Sequence, residues 1–463
     1  MFSASRGSYI FQISIMQYAF ILGRVYTLSL AEIISVLGVL GISYKVLACS
    51  PDVLVVETDQ PLKVEPLQAR LGGVIKIIKL FDTFQKKGKE FPSQVLSNYF
   101  TFKRIKDYFQ EYSGKKQFGV SIYSLDPSVH FHDEAQRVAF LIKKLLQEQA
   151  QSVRAVLPQF PAQALSSVQV TENQILQKGA EIVVISGNQR LFVGKTLSVQ
   201  NYEDYGRRDF QRPARDEKVG MIPPKVAQTM INMSMPLKPL DTILDPFCGS
   251  GTILQEAILM GYKALGSDLE QKMIENSEKN LEWFRNRYHV SPGRYKLAKA
   301  NAAELSIMMP HIKPNAIVTE GTLGPIYGRL PKKPDMVSNF TMLQKLYNQV
   351  FKEFNKLMDD GTKVVMCLPA YRTARGEYHF MPSLDFVTEN GYTILDPIPE
   401  YLRVKYRFLR VTERKSIIYD RKDQVVAREI FIFQKGEIKQ ETVVEDANAL
   451  ETESGEELNP NGT

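Results

Sequence analysis

The stretch Thr242–Ala257, "TILDPFCGSGTILQEA", constrains the fold of this chain more than any other. A short apolar strand ends in Asp245, a Gly249-Ser250-Gly251 turn follows, and a helical pattern starts at once. Glycine lets backbone pass close to a ligand, and the free amides of a helix N-terminus attract electron-rich groups. The same alternation continues from Leu237 onward. "KALGSD" precedes the helical "EQKMIENSEKNLEWF". "YKLAKA" and "AIVT" follow, then the long helical "NFTMLQKLYNQVFKEFNKLMDD" and the strand-like "TKVVMCL". Strand–helix alternation of this kind predicts an α/β doubly wound, mostly parallel sheet. Near the end, "GYTIL" and "REIFIFQ" flank a long connection and predict an antiparallel pair.

In such a sheet, ligands bind beyond the carboxyl ends of the strands. Asp268 closes the next strand and is placed to hydrogen-bond ribose hydroxyls. The pattern suits either a dinucleotide or S-adenosyl-L-methionine. Asp245 at the first strand tip favours a cationic, amine-bearing ligand and would repel a pyrophosphate. Leu254 also stands where the third glycine of a dinucleotide fingerprint belongs. The residues therefore favour S-adenosylmethionine. A glycine turn with no ligand is the remaining alternative.

The first half reads as α+β. "YAFILG", "ISYKVLA", "VLVVET", "GGVIKIIKLF", "FGVSIYSL", "SVRAVLP", "SSVQVT", "AEIVVISG" and "RLFVGKTLSVQ" are predicted strands. "LSLAEIISVLG" and "HDEAQRVAFLIKKLLQEQAQ" are predicted helices, the second with Val138, Leu141 and Leu145 on its apolar side. A charged linker, "NYEDYGRRDFQRPARDEKVGMIPPK", ends this half. Five units are expected: 1–60, 61–200, a linker over 201–236, the α/β unit over 237–435, and a tail over 436–463. The tail, polar, acidic and aperiodic, is expected to be disordered. An apolar run before Met16 is too short and too polar for a membrane span, and the first 15 residues read as a dispensable extension.

The net charge of +7 is uneven. The tail holds eight acids against Lys439, a net of −7, which leaves +14 on the body. Residues 61–120 carry 12 Lys/Arg against five acids, interleaved with Phe100, Phe102, Tyr108, Phe109 and Tyr112. Cations among aromatics suit RNA phosphates and unstacked bases. The alternative is an amphipathic helix, Phe102 to Tyr112, with its aromatics in the core and its lysines solvated. The three cysteines, Cys49, Cys248 and Cys367, lie far apart, which argues against a disulfide scaffold or a zinc site and fits a reducing, cytoplasmic setting. His130 and His132 sit at strand spacing without a third ligand, so a turn is favoured over a metal site, and no metal is expected. Cys248 lacks a His–acid pair and reads as packing under the glycine loop.

"DPFCGSGT" resembles the first motif of class I methyltransferases that act on exocyclic amines of nucleic acids. With "RPARDEKVGMIPPKVAQTMIN" upstream and "YAFILGRVYTLSLAEI" near the start, the chain resembles the THUMP-domain tRNA guanine-N2 methyltransferases. That resemblance implies a Rossmann-like C-terminal class I methyltransferase domain, preceded by ferredoxin-like (1–60) and THUMP-type (61–200) regions that grip tRNA. It implies S-adenosylmethionine as cofactor. Asp245, Phe247, Gly249 and Gly251 match its donor loop, Asp268 and Leu269 the ribose side, and Asn301-Ala302 the usual Asp-Ala near the adenine. Lys218 to Pro224 matches a segment closing over the cofactor.

The family usually carries Asp-Pro-Pro-Tyr after the fourth strand. Here the catalytic candidates are Glu320, Gly321, Thr322 and Leu323. An exocyclic amine is a poor nucleophile, because its lone pair is delocalised into the ring. A carboxylate and a backbone carbonyl that bond its hydrogens orient the lone pair. Glu320 keeps the carboxylate, and Gly321 keeps a carbonyl. The prolines are gone, and Leu323 replaces the ring that stacks the base, leaving Tyr327 or Tyr371 to supply one. The expected function is methylation of a guanosine N2 amine in tRNA. An adenine-amine DNA methyltransferase and a catalytically inactive RNA-binding protein are the alternatives.

Overall fold

A computed structural model describes residues 16–86, 90–109, 112, 114–131, 133–215, 221–325, 327–421 and 424–437. The segment before Met16, His132, residues 216–220 of the linker, and the acidic tail beyond 437 lie outside them.

The first sheet has eight strands: β1 (Met16–Leu22), β2 (Tyr44–Cys49), β3 (Val53–Thr58), β4 (Val74–Gln85), β5 (Lys116–Ser124), β6 (Val153–Val156), β7 (Gly179–Ser186) and β8 (Arg190–Val199). Their order is β2-β3-β1-β4-β8-β7-β5-β6. Only β5 pairs in parallel, with β6 and β7. β4 pairs antiparallel with β1 on one side and with β8 on the other, and so joins the strands of residues 1–60 to those of 61–200 in one sheet.

The second sheet holds β9 (Thr242–Asp245), β10 (Lys263–Asp268), β11 (Tyr295–Lys299), β12 (Ala316–Glu320), β13 (Lys363–Arg372), β14 (Tyr378–Phe380), β15 (Tyr392–Leu395), β16 (Ile417–Tyr419) and β17 (Val426–Lys435). The main path is β11-β10-β9-β12-β13-β17-β15. β9 to β13 are parallel, and β17 inserts antiparallel between β13 and β15, as the sequence predicts. The chain leaves β9 toward β10 on one side and returns to β12 on the other. That reversal opens a crevice at the carboxyl ends of β9 and β12.

Several sequence expectations need correction. "SSVQVT" is not a strand: Ser167–Glu172 is a short helix, because Ser166 and Gln169 form a capping box. The alternating valines satisfied a strand pattern, and the cap decided otherwise. The charged linker holds two helices, Tyr202–Phe210 and Pro224–Met233, and every residue of the second but Lys225 is buried. The apolar face of Glu134–Glu148 consists of Ala135, Val138, Ala139, Ile142 and Leu146, while Leu141 and Leu145 lie at its edge. Among the basic residues of 61–120, Lys76 is not at the surface. It is 1% exposed and bonds Glu181, whose carboxylate also takes the hydroxyls of Ser121 and Thr196.

The helix Pro224–Met233 locks the two halves together. Its Asn232 Nδ2 donates to Glu32 Oε1 at 2.7 Å, and Glu32 also accepts the amides of Gly72 and Gly73 at 2.8 Å each. On its other side, Met230 Sδ lies 3.6 Å from Cys367 Sγ of β13. This helix therefore covers the face of the second sheet from which the catalytic candidates emerge.

Candidate active site

β9 and β12 are paired at Ile243–Ala316 and Leu244–Ile317, so Asp245 and Thr319 meet at the sheet edge. The Thr319 hydroxyl donates to Asp245 Oδ1 at 2.7 Å, and the Phe247 amide to the same oxygen at 3.2 Å. Asp245 is 2% exposed. Burial pushes its carboxyl up to about 7, against those two hydrogen bonds; the nearby Asp268 and Glu320 charges push the same way as burial.

The glycine loop is shaped as the sequence predicts. Gly249 has φ +51°, and a Cβ there would project into open space, so the backbone is bare toward the cavity. Gly251, at φ +84°, turns the chain into the helix Thr252–Leu259. The loop is buttressed from the helix Gln271–Tyr288. Ser277 Oγ donates to the Gly249 carbonyl at 2.8 Å, and Asn280 Nδ2 to the Ser250 carbonyl at 2.9 Å. Asp268 accepts the Gly249 and Glu270 amides at 3.0 Å each, and burial raises its pKa above the ordinary carboxylate range. Asn301 Oδ1 accepts the Ala303 amide at 3.1 Å, which leaves Nδ2 as its donor end.

Past β12, the loop is tightly held. A Cβ on Gly321 would lie 2.5 Å from Met366 Cε and 2.7 Å from the Tyr347 hydroxyl. That hydroxyl donates to the Thr322 carbonyl at 2.5 Å. Gly324 has φ +87° and packs on Asn339, which bonds the Tyr371 hydroxyl. Tyr371 is fully buried, its ring 5.1 Å from that of Phe340, so it cannot supply a stacking ring. Tyr327 packs edge-on against Tyr371 and does not reach the cavity wall. Leu323 and Leu346 provide an apolar wall instead.

Eleven of the twelve residues singled out in the sequence line one cavity of about 430 Å3: Asp245, Phe247, Gly249, Asp268, Leu269, Asn301, Ala302, Glu320, Gly321, Thr322 and Leu323. Gly251 stands behind it. That size falls in the range of small-molecule sites, roughly 300–1,000 Å3. A bare glycine backbone, a buried carboxylate to which no cation among the described residues is bonded, and a second carboxylate at the next strand end fit S-adenosylmethionine.

Met221 and Ile222, from the Lys218–Pro224 segment expected to close over the cofactor, line the cavity. Sequence reasoning missed other residues of the site. Thr319, Tyr347, Ser277 and Asn280 hold its loops. Arg428 of β17, 2% exposed, donates from Nε to Glu320 Oε1 at 2.5 Å. A charged residue inside the apolar strand "VAREIFIF" was the available signal, because a buried guanidinium requires a partner.

Comparison with known proteins agrees with this geometry. Residues 207–379 match the RMKL-like methyltransferase domain, and residues 74–279 match a DNA methylase family. Over 185 residues the chain is 31% identical to a tRNA (guanine(10)-N2)-dimethyltransferase of Methanothermobacter thermautotrophicus, covering 40% of this chain and 49% of that one. It is 32% identical over 120 residues to the enzyme of the same name from Pyrococcus abyssi, covering 25% and 34%. The matches thus span about half or less of these two relatives. The fold resembles that of TrmN from Thermus thermophilus, with a TM-score of 0.50 at 14% identity over 91% of this chain and 99% of that one. The match to the RMKL-like methyltransferase domain is thus confined to residues 207–379, while the likeness of fold to TrmN extends over most of the chain.

Proposed function

We propose that the protein is an S-adenosylmethionine-dependent RNA methyltransferase acting on the exocyclic N2 amine of a guanosine in tRNA. The observation that carries this reading is the convergence of two loops on one cavity. The Asp245–Gly251 loop has the features of a donor site, and the Glu320–Gly324 loop those of an amine acceptor site. The names of the relatives point the same way.

When bound, S-adenosylmethionine supplies an electrophilic methyl group. Asp245 would pair with the ligand's ammonium, and Asp268 would accept its ribose hydroxyls. Glu320 and the Gly321 carbonyl each accept one hydrogen of the target amine, which turns the nitrogen lone pair toward the donor and stabilises the positive charge that develops there. Leu323 and Leu346 offer the base an apolar wall where related loops offer an aromatic ring. Exposed cations of the first half, among them Lys103, Arg104 and Lys106 on the helix Phe102–Tyr108, would contact RNA phosphates. The interleaved Phe100 and Tyr108 are core residues and would not stack bases.

The match to a DNA methylase family favours a second reading, methylation of an adenine amine in DNA. Labelled S-adenosylmethionine offered with tRNA and with duplex DNA, followed by nucleoside mass spectrometry, separates the two. N2-methylguanosine in tRNA is expected. Label only in DNA adenine would overturn the proposal. No calorimetric binding of S-adenosylmethionine would indicate a non-catalytic RNA binder.

A further inference from the structure

Glu320 is a longer acid than the aspartate of related loops, and it is followed by glycine rather than proline. Both changes loosen the carboxylate: one more rotatable bond, and a less restricted backbone. Arg428 offsets the looseness. In the sheet, Glu320 faces Cys367 on β13, and Pro369 of β13 faces Arg428 on β17. The guanidinium thus reaches across one strand to grip Glu320 Oε1. It is itself tied to Gln424 Oε1 by Nη1, at 3.1 Å.

We infer that Arg428 is a positioning residue of the amine site: it fixes the rotamer of Glu320 and holds it as a carboxylate, so that its remaining lone pairs face the target amine beside the Gly321 carbonyl. This inference rests on the function proposed above. A protonated Glu320 would present a donor to an amine that is itself a donor, and one amine hydrogen would lose its acceptor. The surroundings pull both ways, and burial, the largest influence, leaves the Glu320 carboxyl above the ordinary carboxylate range even with Arg428 in place. Burial and the Asp245 carboxylate of β9 favour protonation; Arg428, Arg421 before β17 and the Ile222 amide favour the anion. Tyr347 and Cys367, packed from the neighbouring helix and from β13, are neutral at physiological pH because burial raises both. Among the described residues, Arg428 is the cation that touches the carboxylate.

The test uses R428M, R428K and the double variant E320Q/R428M in the full chain, with methyl transfer followed from pH 6 to 9.5. For R428M we expect kcat to fall about tenfold or more at pH 7 and to climb as the pH rises, with the donor's Kd within about twofold of wild type. R428K should rescue most of the rate with a flat profile, and E320Q/R428M should be no slower than E320Q. A flat profile for R428M, or equal losses of kcat and donor affinity, would reduce Arg428 to a packing residue and overturn the inference. A second readout needs no substrate. Without its cation, the largely buried Glu320 takes up a proton more readily, so R428M should lose more thermal stability than wild type as the pH rises above the ordinary carboxylate range, and E320Q/R428M should not. If the two variants show the same pH dependence, the inference fails whatever the substrate. If wild type transfers methyl to no RNA, the proposed function fails instead, and the amine-site role falls with it.

Discussion

If Asp245 pairs with the donor's ammonium as proposed, donor binding should be linked to protonation, and the effect should be large enough to measure. Burial holds its carboxyl near pH 7 in the free protein. A ligand ammonium at about 4 Å is worth about 4 kcal/mol at an effective dielectric near 20. At about 1.4 kcal/mol per unit, that lowers the pKa by about three units, back to an ordinary carboxylate value. Below pH 7 the free protein must therefore lose a proton to bind, and affinity falls about tenfold per pH unit. Between pH 7.5 and 5.5 the expected loss is about 25-fold. S-adenosylhomocysteine is a suitable titrant, since it keeps the ammonium without the reactive sulfonium. Calorimetry in buffers of differing ionisation heat should count close to one proton released at pH 5.5 and few at pH 7.5. Asp245→Asn should bind more weakly and lose the pH dependence. A flat wild-type affinity over this range, or no proton release, would refute the pairing of Asp245 with the ammonium.

Other outcomes follow from the same geometry. Glu320→Ala should abolish methyl transfer with donor binding intact, and Glu320→Asp should be tolerated better than Glu320→Gln; unchanged turnover in Glu320→Ala would remove Glu320 from the chemistry. Gly321→Ala would press its Cβ on Met366 and the Tyr347 hydroxyl, breaking the bond to the Thr322 carbonyl, so kcat should drop about 10–100-fold with little change in donor affinity. Glu32 is buried, and its carboxyl is pushed up to about 7, burial outweighing its hydrogen bonds. Its stabilising contribution is present in full below the ordinary carboxylate pKa and is lost as the pH rises through about 7, so thermal stability should fall between pH 5 and 8. Glu32→Gln should flatten part of that slope and cost about 1–3 kcal/mol at low pH, since its amide nitrogen would face a backbone N–H. A pH-independent melting profile in wild type would count against that assignment.

The donor loop was legible in the sequence because its logic is local. A strand, a glycine turn and a helix follow one another within 16 residues, and each piece dictates the next. The strand–helix alternation that sets the sheet is local as well, so the parallel strands and the antiparallel β17 emerged from periodicity alone. Local patterns failed where two of them competed. The valines of "SSVQVT" alternate like a strand, and a capping box made them a helix. They failed also where a charge inside a strand was counted with the cations suited to RNA, as with Lys76, which is buried and pairs with Glu181 across the sheet.

What the sequence determined by itself is the set of groups at the site: which strands end in carboxylates, where the backbone is bare, and that a glutamate and a glycine follow the fourth strand, where the resembled family carries an aspartate and a proline. How those groups are held was settled only by the tertiary structure. Arg428 reaches Glu320 from 108 residues away, Tyr347 pins the Thr322 carbonyl from a helix, and Tyr371, a ring that looked available, is buried under Phe340 and Asn339. The physical reason is range. Strand ends and turns are written in neighbouring residues. The partner of a buried charge is chosen by the order in which distant strands line up, and no periodicity along the chain records that order.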